Sequence, residues 1–91
     1  MNLLHMKHAL EVAKAGSLSK ASEVLLIAAP NISRSIKELE TDLGITIFDR
    51  TQNGMKLTPD GEEFINKLAE FGIGVHEVKD YDIDEEFFAN I

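Results

Sequence analysis

Arg34 and Lys37 stand three residues apart, with Pro30 four before and Thr41 four after. At about 100° per residue these four share one line of a helix, and that line carries two cations and no acid. A guanidinium presents a rigid fork of donors that fits a phosphate or the edge of a guanine, whereas an ammonium is a mobile point charge. Such a line suits a polyanion. Asn31 and Ser33 flank it with neutral hydrogen-bonding groups.

Other chemistries find little support. The chain has no cysteine, which excludes disulfides and thiolate metal sites. His5 and His8 lie three apart and His76 is remote; two imidazoles without a nearby third ligand read as surface or half-buried side chains, so no metal or cofactor is expected. No phosphate-binding glycine loop is present, nor a nucleophile with an adjacent base, so no enzyme is expected.

The line must be held by a helix, and Pro30 to Leu43 reads as one. Ile32, Ile36, Leu39 and Leu43 recur at four, three and four as a core-facing stripe, Pro30 suits the first turn, and Gly44 suits a left-handed cap. Before it, about Lys20 to Leu26, a shorter helix would point Ala21, Val24 and Leu25 inward, with Ser19 as its cap. Two short helices joined by a tight turn, the first with a small residue where they meet, make a helix-turn-helix. An opening helix with Leu3, Met6, Leu10 and Ala13 in its stripe, Val12 and Ala9 beside it, Asn2 as cap and Gly16 as terminator completes a three-helix core.

Downstream, ITIFDR and MKLT flank TQNG, and Asn-Gly between strand-like runs is a hairpin signal. The hairpin is a wing, with Gln52 and Asn53 at its tip, Lys56 on the returning strand and Arg50 at the base. Thr58 then caps a further helix that begins at Pro59. Along it Phe64, Leu68, Phe71, Val75 and Val78 keep a short heptad seam, explained either by packing on the chain's own wing and first helix or by a second copy of the chain. Dimerisation is the expectation, although Gly72 and Gly74 invite a kink or a stop. Residues 1–58 thus form a winged helix-turn-helix, 59–78 a linker and dimerisation helix, and 79–91 an acidic tail containing Tyr81, Ile83, Phe87 and Phe88.

The formal net charge of -7 opposes phosphate binding, but it is unevenly placed. Residues 1–60 hold seven Lys/Arg (7, 14, 20, 34, 37, 50, 56) and seven Asp/Glu (11, 23, 38, 40, 42, 49, 60), whereas 61–91 hold two against nine. All the excess acid lies in the last third. No segment approaches the ~20 apolar residues of a membrane span, and the start has no secretory pattern, so a soluble cytoplasmic protein with no membrane partner is expected.

The order and spacing of AGSLSKASEVL, APNISRSIKELETDLG, IFDRT and LTPDGEEF resemble the N-terminal DNA-binding domain of LysR-type transcriptional regulators, from Leu3 to about Leu68. The resemblance implies a mainly α winged helix-turn-helix that binds double-stranded DNA as a homodimer through its linker helix. It implies a recognition helix in the major groove, with Pro30, Asn31, Ser33, Arg34 and Lys37 near bases and phosphates. Ser17 and Arg50 would touch the backbone, and the wing from Gln52 through Asn53 to Lys56 would follow the minor groove. This sequence departs from the family by carrying Ala28 and Ala29 where a Ser or Thr and then a Gln are usual, and by lacking an arginine near the wing tip. It also lacks the effector-binding domain, so an excised DNA-binding domain is expected, with a short protein whose tail replaces the sensor as the other option.

Two functions compete. One is a dimeric, sequence-specific DNA-binding domain that regulates transcription, with RNA polymerase as a further partner. The other is an interaction module with weak DNA affinity that pairs with, or antagonises, a full-length regulator.

Overall fold

Four helix starts need acceptors for their first free N–H groups, and three of them find a side chain. In the computed structural model, which describes residues 2–52 and 54–72, the Asn2 side chain accepts from Leu4 N at 2.7 Å and starts α1, Leu3–Ala15. Gly16, at φ 79°, ends it. Ser17 follows in extended conformation and its Oγ accepts from Lys20 N at 3.1 Å, starting α2, Leu18–Leu25. The cap expected at Ser19 is therefore Ser17. The left-handed Gly16 reverses the chain so tightly that the first serine after it already stands at the helix end, which draws Leu18 into the helix.

A second correction concerns Val24, expected inward and found 63% exposed. With α2 starting at Leu18, its inner line runs through Leu18, Ala21 and Leu25, and Val24 falls outside it. Leu26 caps α2 in the left-handed region, φ 58°, and is 88% exposed.

The third helix, α3, spans Ala29–Leu43 and starts after Ala28 without a side-chain cap. Its stripe forms as the spacing predicts, with Ile32, Ile36 and Leu39 buried, Leu43 half-buried and Gly44 as terminator at φ 72°. Strands β1, Phe48–Thr51, and β2, Gly54–Leu57, pair antiparallel with Phe48 opposite Leu57 and Thr51 opposite Gly54. Gly54 lies in the returning strand at φ 141°, where a Cβ would stand 2.3 Å from Gly16 O. Absence of a side chain there lets the wing lie on the turn between α1 and α2, and Met55 N donates to Gly16 O at 3.0 Å.

Helix α4, Pro59–Glu70, starts at Thr58, whose Oγ1 accepts from Gly61 N at 2.9 Å. Among the described residues it ends at Glu70, with Gly72 following at φ 81°, and the rest of the helix expected to residue 78 lies outside them. Val75, Val78, the acidic tail and Asn53 lie outside the described residues. The core lies between α1, α2 and α3, with Val12, Ile32, Leu39 and Ile47 wholly enclosed, and the wing and α4 close its open side. Ala9 and Val12, which the sequence sets beside the α1 stripe, are fully enclosed and are the most buried hydrophobic residues of α1. No helix among the described residues is long and apolar enough to cross a membrane.

Candidate nucleic-acid interface

Because the α3 stripe turns inward, the line opposite it must face out, and Pro30, Asn31, Arg34 and Lys37 are all exposed. Arg34 Nη1 donates to Asn31 Oδ1 at 3.1 Å, one turn back, which steadies the guanidinium along the helix. Arg34 and Lys37 line one shallow groove with Thr41, edged by Glu38 and Asp42. Lys37 also lines the cleft between α3 and the wing, shared with Ser33 and Arg50.

Arg50 crosses that cleft: its Nη2 donates to Ser33 Oγ at 2.6 Å. Two residues 17 apart in sequence thus meet on one rim, with Lys37 beside them. Lys56 is not part of this group. It sits opposite Asp49 in the hairpin register, and since strand side chains alternate between faces, Lys56 projects from the face opposite Arg50. Ser17 is half-buried and its oxygen is engaged as a cap, while the hydroxyl proton is left to donate.

The expected dimer seam is divided by its surroundings. Phe64 packs on the core, Leu68 is 4% exposed, and Phe71 is 70% exposed. Phe71 is therefore the seam residue that faces solvent among those described.

Three residues with no expected part in this face prove structural to it, and His8 is buried where a surface or half-buried ring is expected. Glu40 turns inward, and its Oε2 accepts from Ile47 N at 2.7 Å and Phe48 N at 3.3 Å. Gly61 lies so close to the connection before β1 that a Cβ would stand 2.1 Å from Ile47 O. His8 is buried, and its Nδ1 is 3.0 Å from Ser35 Oγ, which itself donates to Asn31 O. The ring thereby ties α1 to the first turn of the exposed line. Burial and, secondarily, the charge of His5 hold the His8 pKa below its usual value, and its Nε2 has no hydrogen-bond partner among the described residues. His5 Nε2 lies 3.7 Å from Glu38 Oε1. No cluster of three His, Cys, Asp or Glu able to hold a metal occurs among the described residues. Glu40 carries a faint sequence signal as an acid on the core edge of an amphipathic helix. His8 and Gly61 carry none, because both depend on what lies across the fold.

Residues 3–62 match the model of the bacterial regulatory helix-turn-helix proteins of the lysR family. The chain belongs to the lysR family. Among its relatives, an uncharacterised HTH-type transcriptional regulator of Bacillus subtilis (strain 168), YcgK, is 45% identical over 67 residues, covering 74% of this chain and 21% of that protein. BenM of Acinetobacter baylyi is 39% identical over 64 residues, covering 70% of this chain and 21% of its own length. The chain thus spans about a fifth of the LysR-family regulators it matches. In structure it is similar to the DNA-binding domain of CbnR solved with DNA, at a TM-score of 0.76 and 28% identity, covering 86% of this chain and 90% of that one. It is equally similar to the BenM DNA-binding domain on its benA site 1 DNA, at a TM-score of 0.75 and 33% identity, covering 86% and 91%. The winged helix-turn-helix of this chain is a LysR-type DNA-binding domain.

Proposed function

We propose that the chain binds duplex DNA sequence-specifically and in pairs, with α3 in the major groove and the wing along the adjacent minor groove. The observation that carries this reading is the rim on which Ser33, Lys37 and Arg50 meet, next to exposed Arg34. Cations from two elements at one rim suit phosphates on either side of a groove, and Arg34 with Asn31 is left to probe base edges. Pro30 sets the angle at which α3 leads in, and Ser17 donates its hydroxyl proton to a backbone oxygen. Asn53 and Lys56 follow the minor groove, and Lys56 does so from the outer face of the wing.

Pairing runs through the heptad seam of Phe64, Leu68, Phe71, Val75 and Val78, and among its described residues Phe71 is the one exposed to a second chain. The reading includes a non-catalytic role within the cytoplasm, as the relatives are transcriptional regulators, and RNA polymerase as a downstream partner. An in vitro selection from random duplexes, followed by a salt titration on the winning sequence, tests it. The expected result is a palindromic site whose binding weakens steeply with salt; salt-insensitive or absent binding sinks the reading.

A second reading rests on Ala28 and Ala29, which head α3 with no side-chain hydrogen bonding, and on the acidic last third. The chain would then be a DNA-weak module that pairs with a full-length regulator, recognised by co-purification as a mixed dimer.

A further inference from the structure

An acid on a recognition helix is a liability beside phosphates, and Glu40 is one turn from Lys37. Within a Debye length of about 8 to 10 Å a carboxylate repels the backbone it approaches. Its geometry accounts for its presence. Oε2 holds both Ile47 N and Phe48 N, at 2.7 and 3.3 Å, the two amides that lead into β1. Charge-assisted bonds of this kind are about twice as strong as neutral ones, and a two-stranded hairpin alone is marginal in water. The opposite side of Ile47 is held as well, since Ile47 O accepts from Thr58 N at 2.9 Å. Ile47 is thereby clamped between α3 and the start of α4.

Phe48 and Arg50 lie two apart on β1, so they share the face turned to α3. Phe48 is buried, and Arg50 reaches Ser33. The direction in which Arg50 leaves the strand is therefore set by the two amides that Glu40 holds.

We infer that Glu40 is a positioning residue for DNA recognition, holding the entry of β1 so that Arg50 stands with Ser33 and Lys37 as a single phosphate-binding set. The inference rests on the DNA-binding reading above, and its test has one arm with DNA and one without. Charge alone predicts that removing Glu40 tightens binding; positioning predicts the reverse.

The first arm titrates the intact chain on its selected duplex across a salt series, for the wild type, Glu40→Ala, Glu40→Gln, Arg50→Ala and the Glu40→Ala/Arg50→Ala double variant. Glu40→Ala is expected to weaken binding about tenfold, the scale of one charge-assisted contact, and to lower the salt slope by about 0.9, the share of one phosphate. The double variant should bind no more weakly than Arg50→Ala, because both changes remove the same contact. Glu40→Gln keeps an acceptor oxygen and should stay within about threefold of the wild type. Unchanged or tighter binding by Glu40→Ala, or losses that multiply in the double variant, would overturn the inference. If Glu40→Ala does not fold, Glu40→Asp takes its place, since it keeps the charge and withdraws the acceptor by one methylene. Wild-type-like binding by Glu40→Asp would also overturn it.

The second arm needs no DNA. Amide hydrogen exchange at Ile47 and Phe48 should quicken in Glu40→Ala, and the Arg50 guanidinium resonance should shift as its contact with Ser33 is lost. Unaltered exchange and an unaltered Arg50 resonance overturn the inference even if the wild type binds no duplex, an outcome that would separately refute the DNA-binding reading.

Discussion

Arg34 and Lys37 share one exposed line of α3 but differ in chemistry, and the difference separates their roles. If Arg34 reads a base edge, Arg34→Ala should cost about 1 to 3 kcal/mol on the selected site and relax preference at one position. Lys37→Ala should weaken binding to all duplexes alike and lower the salt slope by about one. Competition titrations against single-base variants distinguish the two. Leu26 makes a second residue-scale case. It is 88% exposed at φ 58°, a conformation costly to an L-residue with a bulky side chain and tolerated by asparagine. Leu26→Asn should therefore raise unfolding stability by about 0.5 to 1 kcal/mol in urea titrations. His8 makes a third. Its pKa is lowered in the folded chain, chiefly by burial, so the unfolded chain takes up the proton first as pH falls. Stability is then complete above the ordinary histidine value of about 6.5 and declines as pH drops from there through the folded value. Urea midpoints at pH 7.5 and 5.5 should show the decline, and His8→Gln should reduce it.

At the scale of elements, the wing is held by two close approaches. Gly54 lets β2 touch the turn after α1, and Gly61 lets α4 touch the connection before β1. In both places a Cβ would collide with backbone oxygen, which does not move out of the way as a side chain does. Gly61→Ala should accordingly cost about 3 kcal/mol or more and loosen the wing, whereas alanine at exposed Asn66, within the same helix, should change stability by less than about 0.5 kcal/mol. Thermal unfolding of the two variants gives the comparison. The helices, by contrast, were legible in the sequence because their signals are local. The Asn2 and Thr58 caps, the Gly44 stop and the Ile32-Ile36-Leu39 stripe each depend on neighbours within one or two turns. The α2 cap was misread by two residues because Ser17 and Ser19 have the same chemistry, and only the path of the chain after Gly16 selects between them. Val24 stands outside because α2 packs along the line of Leu18, Ala21 and Leu25, a choice of face made by its neighbours in the fold.

For the molecule as a whole, Phe71 caps α4 and stands exposed at its end. Leu68 already belongs to the chain's own interior and Phe64 packs on the core, so changes at those positions disturb the monomer. Phe71 does not share that constraint at 70% exposure. If α4 pairs two chains, Phe71→Asp should raise the dimer dissociation constant by tenfold or so, the scale of burying one aromatic side chain, and leave the urea midpoint of the monomer unchanged. Sedimentation equilibrium measures the first. An unshifted dissociation constant would place the pairing surface elsewhere.

Periodicity and end signals alone determined the helix-turn-helix, the existence of the wing and the line of Pro30, Arg34, Lys37 and Thr41, since each arises from interactions a few residues long. Which residues stand together on the outer face was decided by the tertiary structure. Arg50 meets Ser33 across 17 residues, Lys56 is carried to the other face of the hairpin by its register, and His8 and Glu40 are polar groups whose partners lie on other elements. Long-range partners of this kind leave no period in the sequence. They are set by which backbones can approach closely, and here two glycines and one inward carboxylate determine that approach.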